Sequence, residues 1–308
     1  MKKSILAAGI SLLFVFPGAA AEPTTLNGRM ERVEDVLYGE TRSGSLTERI
    51  TSADNLIYGT GSSTGVGLDD QVGNLYADVN SGNDAAPSIS SRTNALEYYL
   101  TDEIKREPLA GRIGDMEKSV FGSVKSGALD KRTAELEKAI YGDQHSEMKD
   151  VVLPEKTVFK ISLNDNISSK TNLVGDPVEF TVQEDVKVGD ILVLPRGSRG
   201  SGVVTKVSRP KSFGRSGKLD ISFDQVFSLD DEPIPTVLGP EAKDKLKMEA
   251  AAVGASTIGA LALGPVGLVG GFFVKGKDVE LPAGSELYIQ TQKDVTTKGL
   301  VTASGAPN

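Results

Sequence analysis

The chain has 308 residues, no cysteine, no tryptophan and one histidine, and a formal net charge of −8. Those counts exclude disulfides, thiolate metal sites, a cysteine nucleophile and a lipidated N-terminal cysteine, and one histidine cannot supply a multi-histidine metal site. The length admits about two domains, and the 39% hydrophobic content is enough for a core.

Lys2 and Lys3 precede an apolar run from Ile5 to Phe16, and Ala19-Ala20-Ala21 follows a Pro17-Gly18 break. This order is that of a secretory signal peptide over residues 1–21. The run is shorter than the ~20 residues of a spanning helix. The expected location is therefore the bacterial cell envelope, in the periplasm or at the outer membrane.

Residues 22–150 carry 14 Lys and Arg against 23 Asp and Glu, and residues 151–308 carry 18 against 19. Nucleic acid is not an expected partner, because phosphate neutralisation needs clustered cations.

Residues 22–148 contain a repeat. Arg29, Arg49, Gln71, Arg92, Arg112 and Arg132 are spaced by 20, 22, 21, 20 and 20 residues. Relative to each, positions −3, +4 and +8 are apolar in all six units, from Leu26, Val33 and Leu37 to Leu129, Leu136 and Ile140. That spacing puts them on one helical face. Tyr38-Gly39, Tyr58-Gly59, Phe121-Gly122 and Tyr141-Gly142 close four units with a helix stop. The units of Gln71 and Arg92 lack that ending. Six short amphipathic helices are predicted. Each is too short to be stable alone, so they stack on one another or on another chain. Asn80–Ser91 reads as a linker dividing them three and three.

Five units place an acid five residues after the arginine: Glu34, Asp54, Glu97, Glu117 and Glu137. One reading is a ladder gripping a polymer. The other is inter-helix pairing that fixes register, at ~0–1 kcal/mol for each surface pair. The aromatic before each glycine is either a staple onto the next helix or a platform for a sugar.

From Val151 the period changes to two. Val158–Leu163, Val178–Val182, Leu219–Phe223 and Leu287–Ile289 read as strands, and Gly175-Asp176, Gly189-Asp190 and Gly197-Ser198 mark turns. Residues 149–308 are expected to form a β-barrel or sandwich. The fold class is α+β and multidomain, with helical repeats before an all-β domain.

Two stretches stand out. No acid lies between Asp190 and Asp220, where Arg196, Arg199, Lys206, Arg209, Lys211, Arg215 and Lys218 collect. Around 210–217 an exposed hairpin loop is predicted, and Arg196, Arg199, Arg209, Lys211, Arg215 and Lys218 are candidate anion-binding residues for a glycan or lipid headgroup. The other reading is a strand edge guarded by lysine. The second stretch is Ala250–Val274, 25 residues without a charge. Small residues recur there at a spacing that lets helices approach closely, and Gly264-Pro265 should interrupt the helix. This glycine-rich helical hairpin either enters a membrane or contacts another copy through Gly254, Gly259, Gly264, Gly267 and Gly271, or is buried on the β domain.

The order of motifs from Phe159 onward resembles the C-terminal domain of the scaffold subunit of type IV secretion and conjugation channels, the TrbI-like family. The matching residues are Leu163 to Ser169, Glu184-Asp185-Val186, Leu194-Pro195-Arg196-Gly197-Ser198 and the hairpin through Leu219–Phe223. The glycine-rich insertion follows, then Leu281-Pro282-Ala283-Gly284-Ser285 and a closing strand to Asp294-Val295. The resemblance implies a β-barrel whose hairpin, here Ala250–Val274, enters the outer membrane within an oligomeric ring. The repeat half resembles no family in this way.

No catalytic constellation emerges. His145 sits in a polar linker without a positioned partner. Gly61–Gly67 lacks the lysine and strand of a phosphate loop. Asp230-Asp231-Glu232 is a weak calcium candidate or a hairpin tip. The chain is expected to be a non-enzymatic structural protein of the cell envelope without a cofactor, whose partner is itself, another envelope protein or the outer membrane. The alternative is a soluble module holding an anionic cell-wall polymer through the basic loop.

Overall fold

A computed structural model describes residues 25–60, 65–82, 86–142, 146–210, 217–253, 272–274 and 277–302. Residues 1–21, read as a signal peptide, lie outside that set, as does His145.

Each repeat unit is a helix that begins on its −3 residue: α1 (Leu26–Tyr38), α2 (Leu46–Tyr58), α3 (Leu68–Tyr76), α4 (Ile89–Thr101), α5 (Leu109–Phe121) and α6 (Leu129–Tyr141). Ser45 and Glu48 form a reciprocal capping box on α2, which satisfies two otherwise orphaned N–H groups. Gly39, Gly59 and Gly122 end their helices at φ of 73°, 78° and 80°. Asp102 takes the left-handed cap of α4 at φ 56°. α3 has no glycine stop and continues into a π-helical turn, Ala77–Ser81. The expected linker Asn80–Ser91 is therefore shorter: Asn80 and Ser81 belong to that turn, and Ser90 and Ser91 to α4, which Ser88 caps.

The +4 residues Val33, Ala53, Leu75, Leu96, Met116 and Leu136 share one core. α1, α2 and α3 touch each other, and so do α4, α5 and α6. The two trios join through α1 against α5 and α2 against α6. The repeats are thus one bundle.

The recurring arginines pair with the acids of neighbouring helices. Arg49 reaches Glu34 at 2.7 Å, Arg112 reaches Glu97 at 2.6 Å and Arg132 reaches Glu117 at 2.8 Å. Each pair spans 15 residues. The same acids accept a backbone N–H from the following turn: Arg42 onto Glu34, Lys105 onto Glu97 and Lys125 onto Glu117. Arg92 closes the second trio on Glu137 at 2.7 Å. Glu34, Glu97 and Glu117 are buried, so these are interior pairs and not the surface pairs expected. The aromatics before the glycines pack on the bundle core as staples, with Tyr99 edge-on to Tyr141 at 5.3 Å.

The second half is β1 (Met148–Leu153), β2 (Val158–Leu163), β3 (Ile167–Ser168), β4 (Pro177–Val182), β5 (Val186–Val188), β6 (Ile191–Leu194), β7 (Arg199–Ser208), β8 (Gly217–Phe227), β9 (Pro233–Val237), α7 (Pro240–Val253), β10 (Phe272–Val274), β11 (Glu280–Leu281), β12 (Glu286–Thr291) and β13 (Val295–Val301). One sheet runs β10-β8-β7-β4-β2-β12-β9, and β8 also pairs with β9. That pairing closes a six-stranded barrel of β8, β7, β4, β2, β12 and β9. A second sheet runs β1-β13-β6-β5, and β11 pairs with β3. The barrel interior holds Phe159, Ile161, Phe180, Phe223, Leu287 and Ile289 among others. Alternating burial along β2 and β8 puts these residues inside. A Cβ at Gly202 would lie 1.9 Å from the Ser222 carbonyl oxygen, so only glycine lets β7 approach β8 there.

Most of the basic stretch is strand: β7 and the start of β8 are antiparallel partners on either side of the expected loop, and residues 211–216 lie outside the described set. Of the expected hairpin Ala250–Val274, the first four residues finish α7 and Phe272–Val274 is a strand on β8.

Candidate functional site

Antiparallel register gives the barrel two distinct ends. Arg199 and Phe227 lie at one end of the β7–β8 hairpin, and Ser208 pairs with Lys218 at the other. Nine residue steps along β7 separate Arg199 from Ser208, about 30 Å at ~3.3 Å each.

The helical bundle docks on the first end. The β8–β9 turn places Asp231 at φ 64°, where Arg32 of α1 meets it at 2.8 Å. Arg199 meets Asp35 of α1 at 2.7 Å and Asp231 at 3.6 Å. Both guanidiniums lie over the Phe227 ring, at 4.0 and 4.8 Å from its centroid. Asn80 adds a hydrogen bond to Asp231 from the π-helical turn. Two cations and two carboxylates thus neutralise one another across the junction. Burial alone would raise the Asp35 carboxyl, but Arg199 and Arg32 hold it below the usual carboxylate range. Burial and the neighbouring Arg199 lower the Arg32 guanidinium, against the pull of Asp231 and Asp35. Burial would lower Arg199 too, and Asp231 and Asp35 outweigh it.

Beside this cluster α4 packs on the second sheet. Ala95 lies with Leu192, Leu229 and Leu300, and Asn94 donates to the Leu229 carbonyl at 2.8 Å. Tyr98 donates to Asp185 at 2.5 Å, Ile104 N donates to Arg196 O at 2.9 Å, and Arg106 pairs with Glu179. Asp230 turns away from the bundle. It accepts from Ser228, from Thr297 Oγ1 at 2.9 Å and from Lys298 N at 3.1 Å. Burial raises its carboxyl despite those hydrogen bonds. The Asp230-Asp231-Glu232 segment is a hairpin tip, as one of the two expectations held, but Asp230 and Asp231 are buried. No group of three or more metal-binding side chains occurs among the described residues.

The second end holds one boundary of the uncharged run, at Phe272, and α7 leads into the other. α7 packs along β12: Ala242 and Leu246 enter the barrel core, Ala242 N donates to Gln290, and Tyr288 bonds Glu249. The helix therefore runs from the Gln290 level towards the Glu286 end of β12. Phe272 re-enters on β10 beside Leu219 and is buried. Gly217 N then donates to Lys277 O, and Ser169 Oγ to Asp278 at 2.8 Å. Gly254, Gly259, Gly264, Gly267 and Gly271, the expected contact glycines, lie outside the described residues. Among the described residues no helix is long and apolar enough to cross a membrane.

The six candidate anion-binding residues are divided between the two ends. Arg199 is committed to Asp35 and Asp231. Arg196 is exposed at the bundle end, with its backbone N–H on Asp185. Arg209 and Lys218 are exposed at the far end, where Arg209 donates to Lys170 O at 2.8 Å. Lys211 and Arg215 lie outside the described residues. The described members do not converge, because β7 spans the length of the barrel. Sequence reasoning misses Arg32, Asp35 and Phe227, which build the junction. Nothing local marks them, since Arg32 falls outside the repeat's arginine register.

No protein-family model matches this chain, and no curated protein matches it. Among solved structures, ComB10 of the Com type IV secretion system of Helicobacter pylori is similar at 13% identity and a TM-score of 0.27. The match covers 47% of this chain and 90% of that one.

Proposed function

We propose that the chain is a non-catalytic, exported scaffold protein of the cell envelope, whose β domain associates with a membrane or with copies of itself through Ala250–Val274. One observation carries this reading. The run of 25 uncharged residues is bounded by two elements packed on the barrel itself, α7 in its core and β10 paired with its strand β8. The β10 boundary lies at the end away from the helical bundle. Apolar sequence fixed to a folded domain in this way is suited to contact with lipid or another subunit. The bundle, docked through α1 and α4, gives the scaffold a second protein surface.

The test is fractionation of the native host with alkaline carbonate washing of its membranes. Wild type is compared with a chain in which residues 254–271 are replaced by a short Gly-Ser linker, which keeps α7 and β10. Resistance of wild type to the wash, lost in the variant, is the expected result. A wild-type chain that is soluble, monomeric and indifferent to membranes overturns the reading.

A further inference from the structure

The turn between β3 and β4 is braced on all sides yet presents two aliphatic side chains to water. Leu173 and Val174 are each 65% exposed. Asn172 N donates to Ser168 O and Asn172 Oδ1 accepts from Ser168 N at 2.7 Å. Asp176 accepts from Leu173 N at 2.9 Å and from Asn172 Nδ2 at 3.1 Å. Gly175 N donates to Val204 O at 2.8 Å, fastening the tip to β7. The exposure of Leu173 and Val174 is therefore built into the loop.

The surroundings are cationic. Lys170, Lys206, Arg209 and Lys277 are exposed, and among the described residues none forms an ion pair with a carboxylate. Arg209 binds the Lys170 carbonyl, and Lys277 adjoins Gly217 beside Ser169. The nearby acids are Asp176, held within the loop, Asp278, held by Ser169, Asp220, opposite Lys206 on β8, and Glu280, exposed and opposite Ser168 on β11. This is the barrel end at which Phe272 re-enters from the uncharged run.

We propose that the Leu173–Val174 tip is a second lipid contact, seated in an anionic bilayer surface with Lys170, Lys206, Arg209 and Lys277 on the headgroups. Adjacent aliphatics ringed by free cations match such an interface: the apolar tip enters the acyl boundary while the cations meet anionic headgroups. The inference rests on the membrane reading given above, and fixes which lipid charge and which loop take part.

The experiment uses the purified mature chain and two sets of vesicles, phosphatidylcholine alone and phosphatidylcholine with phosphatidylglycerol, read by co-sedimentation. Wild type should bind the anionic vesicles preferentially and release in high salt. L173S/V174S should bind them about tenfold more weakly, and K170E/R209E should lose the anionic preference, since each cation near the surface contributes on the order of a fivefold factor. Both variants alter exposed side chains, so unchanged thermal unfolding midpoints confirm that they fold. Wild-type binding that L173S/V174S leaves unaltered overturns the loop proposal and leaves the membrane reading standing. Wild type that binds neither vesicle overturns both. Self-association lost in L173S/V174S without vesicle binding assigns the tip to a second copy and overturns the lipid contact.

Discussion

Arg92 of α4 reaches Glu137 of α6 across 45 residues, at 2.7 Å, and so closes a ring of three ion pairs. The other two links are Arg112 with Glu97 and Arg132 with Glu117. Every arginine of the second trio thus holds the acid of another helix in that trio. The first trio has the corresponding link of Arg49 to Glu34, and Arg29 of α1 meets Asp69 of α3 at 3.9 Å. Gln71 and Tyr76 stand where the next arginine and acid would be. There α3 runs on into the π-helical turn and brings Asn80 to the barrel. The Arg92–Arg112–Arg132 ring stays internal to the bundle, whereas α1 of the first trio supplies Arg32 and Asp35 to the junction cluster.

Removing one partner of a buried pair should cost far more than removing both. Arg132→Met leaves Glu117 buried without its cation, a loss of about 3 kcal/mol or more. The double variant R132M/E117L should recover much of that loss. Urea unfolding of wild type, both single variants and the double variant checks this. Equal losses in the single and double variants would show that the pair does not act as a unit.

The helix stops separate backbone strain from packing. Gly122 has φ 80° and open space where a Cβ would lie, so Gly122→Ala should cost only about 1 kcal/mol. Gly39 has φ 73° and a Cβ there would sit 3.0 Å from Pro108 Cγ. Gly39→Ala should cost more, because α5 must shift as well. Thermal unfolding of the two variants gives the order directly.

At the junction, Asp231→Asn removes one of two carboxylates facing Arg32 and Arg199. The expected loss is about 3 kcal/mol, and the Phe227 contacts weaken with it. Limited proteolysis of the full chain should then cut faster between α6 and β1, around residues 143–147. An unchanged cleavage rate would show that the apolar contacts of α4 hold the two halves together by themselves.

Asp35 and Asp230 have opposite effects on stability as pH changes. The Asp35 carboxyl is lowered in the folded chain, so its contribution is full above the ordinary aspartate value of about 3.9 and is lost as pH falls through the folded value. The Asp230 carboxyl is raised by burial, so the folded chain binds the proton more tightly. Between the ordinary and the raised value, lowering the pH favours the folded state at that residue. Asp230→Asn should remove this component, and Asp35→Asn the opposite one. Unfolding free energies measured from pH 3 to pH 7 for the three proteins show whether the two slopes have these signs.

The helices were legible because their signal is local. The period of 3.6 and a glycine stop identify an amphipathic helix from a dozen residues, and all six helices start where the repeat sets them. Period two revealed β2, β4, β8 and β12 for the same reason. The recurrence of arginine and acid was visible too, but not their burial, which depends on the helix that covers them. Arg199 shows the limit most clearly. In the sequence it belongs to an acid-free basic stretch, whereas in the fold it faces Asp35 and Asp231, 164 and 32 residues away. Its partner depends on which end of a strand reaches the bundle. The exposed pair Leu173 and Val174 had only the Gly175-Asp176 turn as a signal.

By itself the sequence determined the six helices, the change to strands after Val151 and the uncharged run, because each is written in the periodicity or composition of a short segment. Tertiary structure decided the closure of the barrel by β8 and β9, the ring through Arg92 and Glu137, and the docking of α1 on Asp231. These depend on long-range register, where each pairing is set by the packing of the whole domain and not by the residues beside it.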